Sequence, residues 1–294
     1  MNQTKVNKAL LRELPYYSCD RISSHGQFNN SLDTCLPTKK YLDRLPSFYD
    51  LNLFSLNSLL VKKSDDLSAY TPTTRCKYYF PHSFSQLKRH LNMSSYSNSS
   101  FSFFHTNIQS LKRNLKNLQT HLLDALSFRF NILGITETRI KSACDNLDFN
   151  PTISHYDFEH VPTPLSAGGV GMYIDENLKY TIIEKCSNEA FQALWVELHL
   201  PKHANIICGV VYRQHNSPEL FQEYFDRTIE KLSASGKQIF LIGDFNINLL
   251  RFHDCKYVQN FILSLQSFNV TPTIDKPTRV HNNSYSIIDT QHLC

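Results

Sequence analysis

The chain has 294 residues, 41% of them apolar and 12% aromatic, with a formal net charge of +4. That composition supports a sizeable core and excludes a chain disordered throughout. The charge leans mildly towards anionic partners without the sharp basic stripe of a dedicated duplex-binding module, and no run approaches the ~20 apolar residues needed to span a bilayer.

The N-terminus has no uninterrupted apolar segment of signal-peptide length. Eight cysteines (Cys19, Cys35, Cys76, Cys144, Cys186, Cys208, Cys255 and Cys294) are scattered without a C-x-x-C pair, which argues against a zinc finger. Reduced thiols in an intracellular protein, nuclear or cytoplasmic and not membrane-bound, are the expectation.

Residues 1–98 are rich in Ser, Asn, Leu and Tyr, contain Gly26 as their only glycine and show no sustained period. They read as a poorly structured N-terminal region. "LLRELPYYSC" suggests a short helix stopping at Pro15, and "LPSFYDLNLFSLNSLLVKK" a second helix or a partner-binding segment. "NMSSYSNSS" is a polar linker just before Phe101.

From Phe101 onward the pattern changes. "FSFFHTNI" reads as a strand and "NLKNLQTHLLDAL" as a helix, with apolar residues at 115, 118, 122, 123 and 126. "FNILGITET", "GGVGMYI", "TIIEK", "FQALWVEL" and "NIICGVVYR" follow as strands. "SPELFQEYFDRTIEKLSA" is a helix with Ser217 as cap, Pro218 in its first turn and Gly236 past its end. "QIFLIG" is the next strand and "CKYVQNFILSLQSF" another helix. Interleaved strands and helices predict an α/β domain over residues 99–294, its sheets covered by helices.

Four of these strands end on polar groups: Asn107, Glu137, Tyr212 with Arg213, and Asp244 with Asn246. Each has an ordinary explanation. Asp244 and Asn246 suit an Asx turn, Asn107 a turn cap, Glu137 a solvated strand end, and Tyr212 a core phenol with a bonded hydroxyl. Taken together they describe a site built from strand ends on a rigid scaffold. Carboxylate and amide oxygens suit a hard cation such as Mg²⁺ or Mn²⁺. An Asp can orient or deprotonate a water, and phenol and amide donors can hold phosphate oxygens where charge develops. That combination describes metal-assisted phosphodiester hydrolysis.

"FFHTNIQSL", "LGITETRI", "GGVGMYI", "VVYRQHNSP", "IFLIGDFNINLL" and "KPTRVHNNSYSIID" occur in that order. They resemble the endonuclease/exonuclease/phosphatase domain, and most of all the endonuclease domain of LINE-type (non-LTR) retrotransposons. The resemblance spans about residue 99 to the end. It implies a four-layer α/β sandwich of two mixed sheets flanked by helices, with DNA as substrate and a downstream reverse transcriptase in full-length relatives. It makes Glu137 the metal-binding glutamate, with Asn107 beside the metal. Tyr212 becomes the tyrosine on the scissile phosphate, Asp244 the aspartate that positions water, and Asn246 the asparagine that holds the phosphate. Asp289 becomes the aspartate that orients a catalytic histidine, and Gln109 stands where apurinic-type relatives carry an acidic residue.

The sequence departs from the family after "SIIDTQHLC", short of the Ser-Asp-His motif. His292, three residues past Asp289, is a poor substitute because it should share that residue's strand. The expectation is a domain lacking its last strand or strands and impaired in catalysis: a retroelement remnant or a gene model cut short. Two alternatives stand beside it, an inactive metal- or nucleic-acid-binding remnant and a phosphatase on the same fold, such as one acting on phosphoinositides.

Overall fold

The long apolar runs become strands buried on both faces, and the amphipathic segments become helices laid over them. This is the arrangement seen in a computed structural model that describes residues 16–20, 75–79, 84–94, 101–141, 149–201, 203–215, 218–274, 278–281, 284–286 and 289–293. The short helix expected up to Pro15, the helix or partner-binding segment expected over residues 45–63, and Ser217 lie outside the described residues. Within the N-terminal region, β1 (Tyr16–Asp20) and β2 (Arg75–Tyr79) pair antiparallel, and α1 (Phe84–Ser94) follows.

The first main sheet contains β3 (Phe103–Asn107), β4 (Ile132–Thr136), β5 (Tyr156–Val161) and β6 (Val170–Asp175), in the order β3-β4-β6-β5. The second holds β7 (Lys179–Ser187), β8 (Phe191–His199), β9 (Ile206–Arg213) and β10 (Gln238–Asp244). Joined to these are β11 (Thr271–Pro272) and, beyond the short hairpin of β12 (Arg279–His281) and β13 (Ser284–Ser286), β14 (Asp289–Leu293). Its order is β11-β14-β10-β9-β8-β7. Both sheets are mixed. β3 runs parallel to β4 and β9 parallel to β10, while the other pairings within the two sheets are antiparallel.

Three apolar clusters separate four layers. The inner one, with Ile132, Met172, Leu194, Val210 and Ile242, lies between the sheets. A second packs the first sheet against α2, which runs as Leu111–Leu118, a π-helical turn Gln119–Leu123 and a last stretch Asp124–Leu126. α1 joins this layer through Leu87, so the packed unit reaches back ahead of residue 99. The third packs the second sheet against α3 (Pro218–Ser233) and α4 (Lys256–Ser267) through Phe221, Phe225, Phe245 and Phe261. The four-layer sandwich expected from the sequence is the observed fold.

Edge and centre differ as their sequences require. β4, β6 and β9 are buried at every position, the near-continuous apolar pattern of strands covered on both faces. β7 is largely exposed and carries Glu184 and Lys185, with a register shift between Ile182 and Glu184 that interrupts the free edge.

Gly209 in β9 makes room for the chain's single tryptophan. Trp195 is fully buried on β8, donates from Nε1 to the Tyr224 hydroxyl at 3.2 Å, and would meet a Cβ on Gly209 at 2.3 Å. Gly209→Ala therefore overpacks the core, and we expect a loss of about 1–3 kcal/mol. Urea unfolding followed by Trp195 fluorescence measures it; a midpoint unchanged from the parent contradicts this packing.

Candidate active site

Parallel pairing within each sheet decides where the polar strand ends go. Asn107 pairs with Thr136 at the ends of β3 and β4, and Asp244 pairs with Tyr212 at the ends of β9 and β10. Two parallel pairs from facing sheets thus finish at one end of the sandwich. The inner faces of β3 and β10 touch through Phe103 and Phe240, whose rings stack at 4.6 Å. Four residues further on, with the period of two keeping the same face, come Asn107 and Asp244.

There the Asn107 amide donates to Glu137 Oε1 at 2.8 Å and to Asp244 Oδ2 at 3.0 Å. One nitrogen thus ties a carboxylate of the first sheet to a carboxylate of the second. Asp244 is only 4% exposed, a position that requires hydrogen bonds to the carboxylate. Its other oxygen accepts from the Asn246 backbone N–H at 3.1 Å. That is the Asx turn weighed from the sequence, and it coexists with the site. Asn107 is similar, its Oδ1 accepting from the Gln109 N–H at 3.2 Å. Gln109 itself is exposed and its side chain enters none of these bonds.

Glu137 and Asn246 are delivered by left-handed backbone, with φ of 52° and 51°, flanked by Gln109 at 49° and Arg139 at 57°. Such conformations cost about 1–3 kcal/mol each and cluster where a side chain must be aimed. The loop after β4 is held from both sides. Ser110 N–H donates to Glu137 O and Leu111 N–H to Thr138 O, while Thr138 and Arg139 donate to the carbonyls of Gly169 and Gly168. Gln192, fully buried, accepts from the Gly169 N–H at 2.9 Å and so fixes that support in turn.

Tyr212 is 3% exposed. Burial pushes its phenol well above the usual range, the Glu137 and Asp244 carboxylates push it further, and a side-chain hydrogen bond with Asn246 opposes them. The hydroxyl therefore stays protonated and remains a donor. The Asn246 amide donates to Arg213 O at 2.6 Å as well as bonding Tyr212, so in this state it holds the two strand ends together.

Sequence reasoning assigned no role to Arg213, yet it locks the Gly-Asp-Phe-Asn turn. It is 4% exposed, donates from Nε to Phe245 O at 2.5 Å and from Nη2 to Asn246 O at 2.7 Å, and lies 5.6 Å from the Tyr257 ring. The available signal was a cationic residue ending a strand otherwise buried throughout.

Glu137 supplies carboxylate oxygens and Asn107 an amide oxygen, which here accepts from the Gln109 N–H; oxygen donors of these types suit a hard cation completed by water and substrate phosphate. Among the described residues no group of three or more His, Cys, Asp and Glu side chains gathers. A cation here would rest on Glu137 with amide support. The β10–β14 register places Asp289 opposite Asp244 and His292 opposite Leu241, three positions further along the strand.

No protein-family model matches the sequence, and no curated protein does. Solved structures do. An AP endonuclease from Leishmania major superposes with a TM-score of 0.48 at 13% identity, covering 66% of this chain and 78% of that one. The catalytic domain of Xenopus laevis APE2 gives 0.46 at 14% identity, over 66% and 82%. A 3′ phosphatase from Neisseria, bound to a product DNA hairpin, gives 0.46 at 12% identity, over 66% and 86%.

Removing the Arg213 clamp leaves the Phe245 and Asn246 carbonyls without these donors. We expect Arg213→Met to cost about 2–3 kcal/mol, with only partial recovery in Arg213→Lys, since an ammonium cannot serve both carbonyls with the geometry of a guanidinium. Chemical unfolding of the three proteins reads this; an unaltered Arg213→Met protein contradicts it.

Proposed function

We propose that the chain is a divalent-cation-dependent phosphodiesterase acting on DNA, of the LINE-type endonuclease kind that its motif order resembles. The observation that carries the reading is the single Asn107 amide between Glu137 and Asp244, with Tyr212 and Asn246 alongside. Glu137, supported by Asn107, would hold Mg²⁺ or Mn²⁺, which supplies Lewis-acid polarisation of a phosphoryl oxygen.

The remaining roles fall to the chain's own side chains. Asp244, buried and fixed by Asn107 and by the Asn246 N–H, orients the attacking water and takes its proton on a carboxylate oxygen. The Tyr212 hydroxyl donates to a non-bridging phosphate oxygen as negative charge builds there, the kind of contribution whose loss costs about 10²–10³-fold in rate. Asn246 keeps that phenol in place and offers a second amide to the phosphate once its bond to Arg213 O is exchanged. Asp289 pairs with Asp244 in the β10–β14 register, and the resemblance makes it the candidate orienter of a proton donor. None of Asn107, Glu137, Tyr212, Asp244 and Asn246 is an imidazole that could protonate the leaving oxygen, and the turnover we expect is slow. That feature also supports the second reading, in which the cleft binds nucleic acid or a cation without turnover.

Incubation of the full chain with supercoiled plasmid and Mg²⁺ separates the two. We expect slow nicking that EDTA abolishes and that falls about 10²-fold or more in Asp244→Ala. Nicking equal in that variant, or no nicking at micromolar protein, contradicts the phosphodiesterase reading.

A further inference from the structure

Arg139 lies two residues past Glu137, and its Nη2 donates to Glu137 Oε2 at 3.2 Å. The carboxylate is 16% exposed and the arginine side chain 40%. The guanidinium also lowers the Tyr212 phenol against the push of Glu137 and Asp244, so its charge is felt across the cleft. Its root is fixed: φ is 57°, its N–H donates to Gly168 O at 2.9 Å, and the next residue, Ile140, is buried.

The two oxygens of Glu137 therefore have different partners. Oε1 accepts from Asn107 at 2.8 Å inside the cleft, where that amide also serves Asp244. Oε2 accepts from Arg139 over a longer distance and at the mouth. A partly exposed pair made through one N–H is weak. A second positive charge arriving at the same carboxylate repels the guanidinium. Arginine's planar fork of five donors is suited to a phosphate, which takes two of them at once.

We propose that Arg139 is a cation-gated phosphate contact. It neutralises Glu137 while that carboxylate holds no cation, and turns onto a backbone phosphate of the bound strand when Glu137 takes one. This deepens the phosphodiesterase reading and rests on it. It gives the cleft a second positive group that becomes available for the strand only when the cleft is loaded.

Two measurements on the full chain test it. Isothermal titration with Mn²⁺ compares the parent, Arg139→Gln and Glu137→Gln. Affinity for a nuclease-resistant phosphorothioate duplex is then taken in EDTA and in Mn²⁺ across a range of salt. Arg139→Gln should bind Mn²⁺ about three- to tenfold tighter, because the competing charge is gone. In Mn²⁺ the salt dependence of duplex binding should steepen by about one phosphate contact in the parent and not in Arg139→Gln. Suppose Glu137→Gln loses Mn²⁺ binding while Arg139→Gln binds it no tighter than the parent, or both proteins show the same Mn²⁺-dependent steepening. The proposal then falls and the site assignment stands. Mn²⁺ binding that survives in Glu137→Gln overturns the site assignment, and this proposal with it.

Discussion

The Asn107 side-chain amide donates to Glu137 on one side and to Asp244 on the other, joining the ends of two facing sheets through one nitrogen. Much else in the site follows from that contact. Two carboxylates close together repel unless a donor or cation lies between them, and here the amide is that donor. It needs β3 to lie over β10, which the Phe103–Phe240 stack secures, and both strands to run to the same end. Sheet separation matters as well. Gly134 on β4 lies so close to Ile242 on β10 that a Cβ there would come within 2.3 Å of Ile242 Cδ1. His105, one step back from Asn107 on the same face, is held neutral by burial, its pKa lowered to about 3.

Such a rim has a conformational cost that the surrounding structure must offset. Glu137, Arg139 and Asn246 sit in left-handed backbone, and each is held by bonds from elsewhere in the chain. The loop after β4 is braced by the start of α2 and by the Gly168–Gly169 turn, which buried Gln192 supports. The turn after β10 is braced by Arg213, while Asn246 donates back to Arg213 O, so strand end and turn secure each other. A cleft arranged this way is preorganised. The backbone that carries Glu137 and Asn246 is fixed by bonds from the rest of the chain.

Much of this was legible in the sequence because the central strands are buried on both faces and so appear as uninterrupted apolar runs. "NILGIT", "IICGVVYR" and "QIFLIG" could each be read directly, and the residue types at their ends then pointed to oxygen-based chemistry. Three things were not legible. β5, "YDFEHV", alternates irregularly because it is an edge strand, and its polar residues bond sideways: Glu159 takes the Tyr180 hydroxyl and Lys185. The role of Arg213 depends on a turn more than thirty residues away, which no local pattern encodes. The left-handed backbone at Glu137 is set by tertiary bonds on both sides of the loop. The choice posed from sequence between an Asx turn and a site at Asp244 was also too narrow. The turn uses Oδ1 and the amide bridge uses Oδ2, so one side chain does both.

The central claim is that Asn107, Glu137 and Asp244 form one cation-binding cleft across two sheets. Crystals of the full chain soaked in Mn²⁺, with diffraction collected at the manganese edge, examine it most directly. The account predicts one strong anomalous peak within coordination distance of a Glu137 carboxylate oxygen. A peak elsewhere on the molecule with none at Glu137, or ordered Glu137 and Asn107 side chains with no peak beside them, contradicts it.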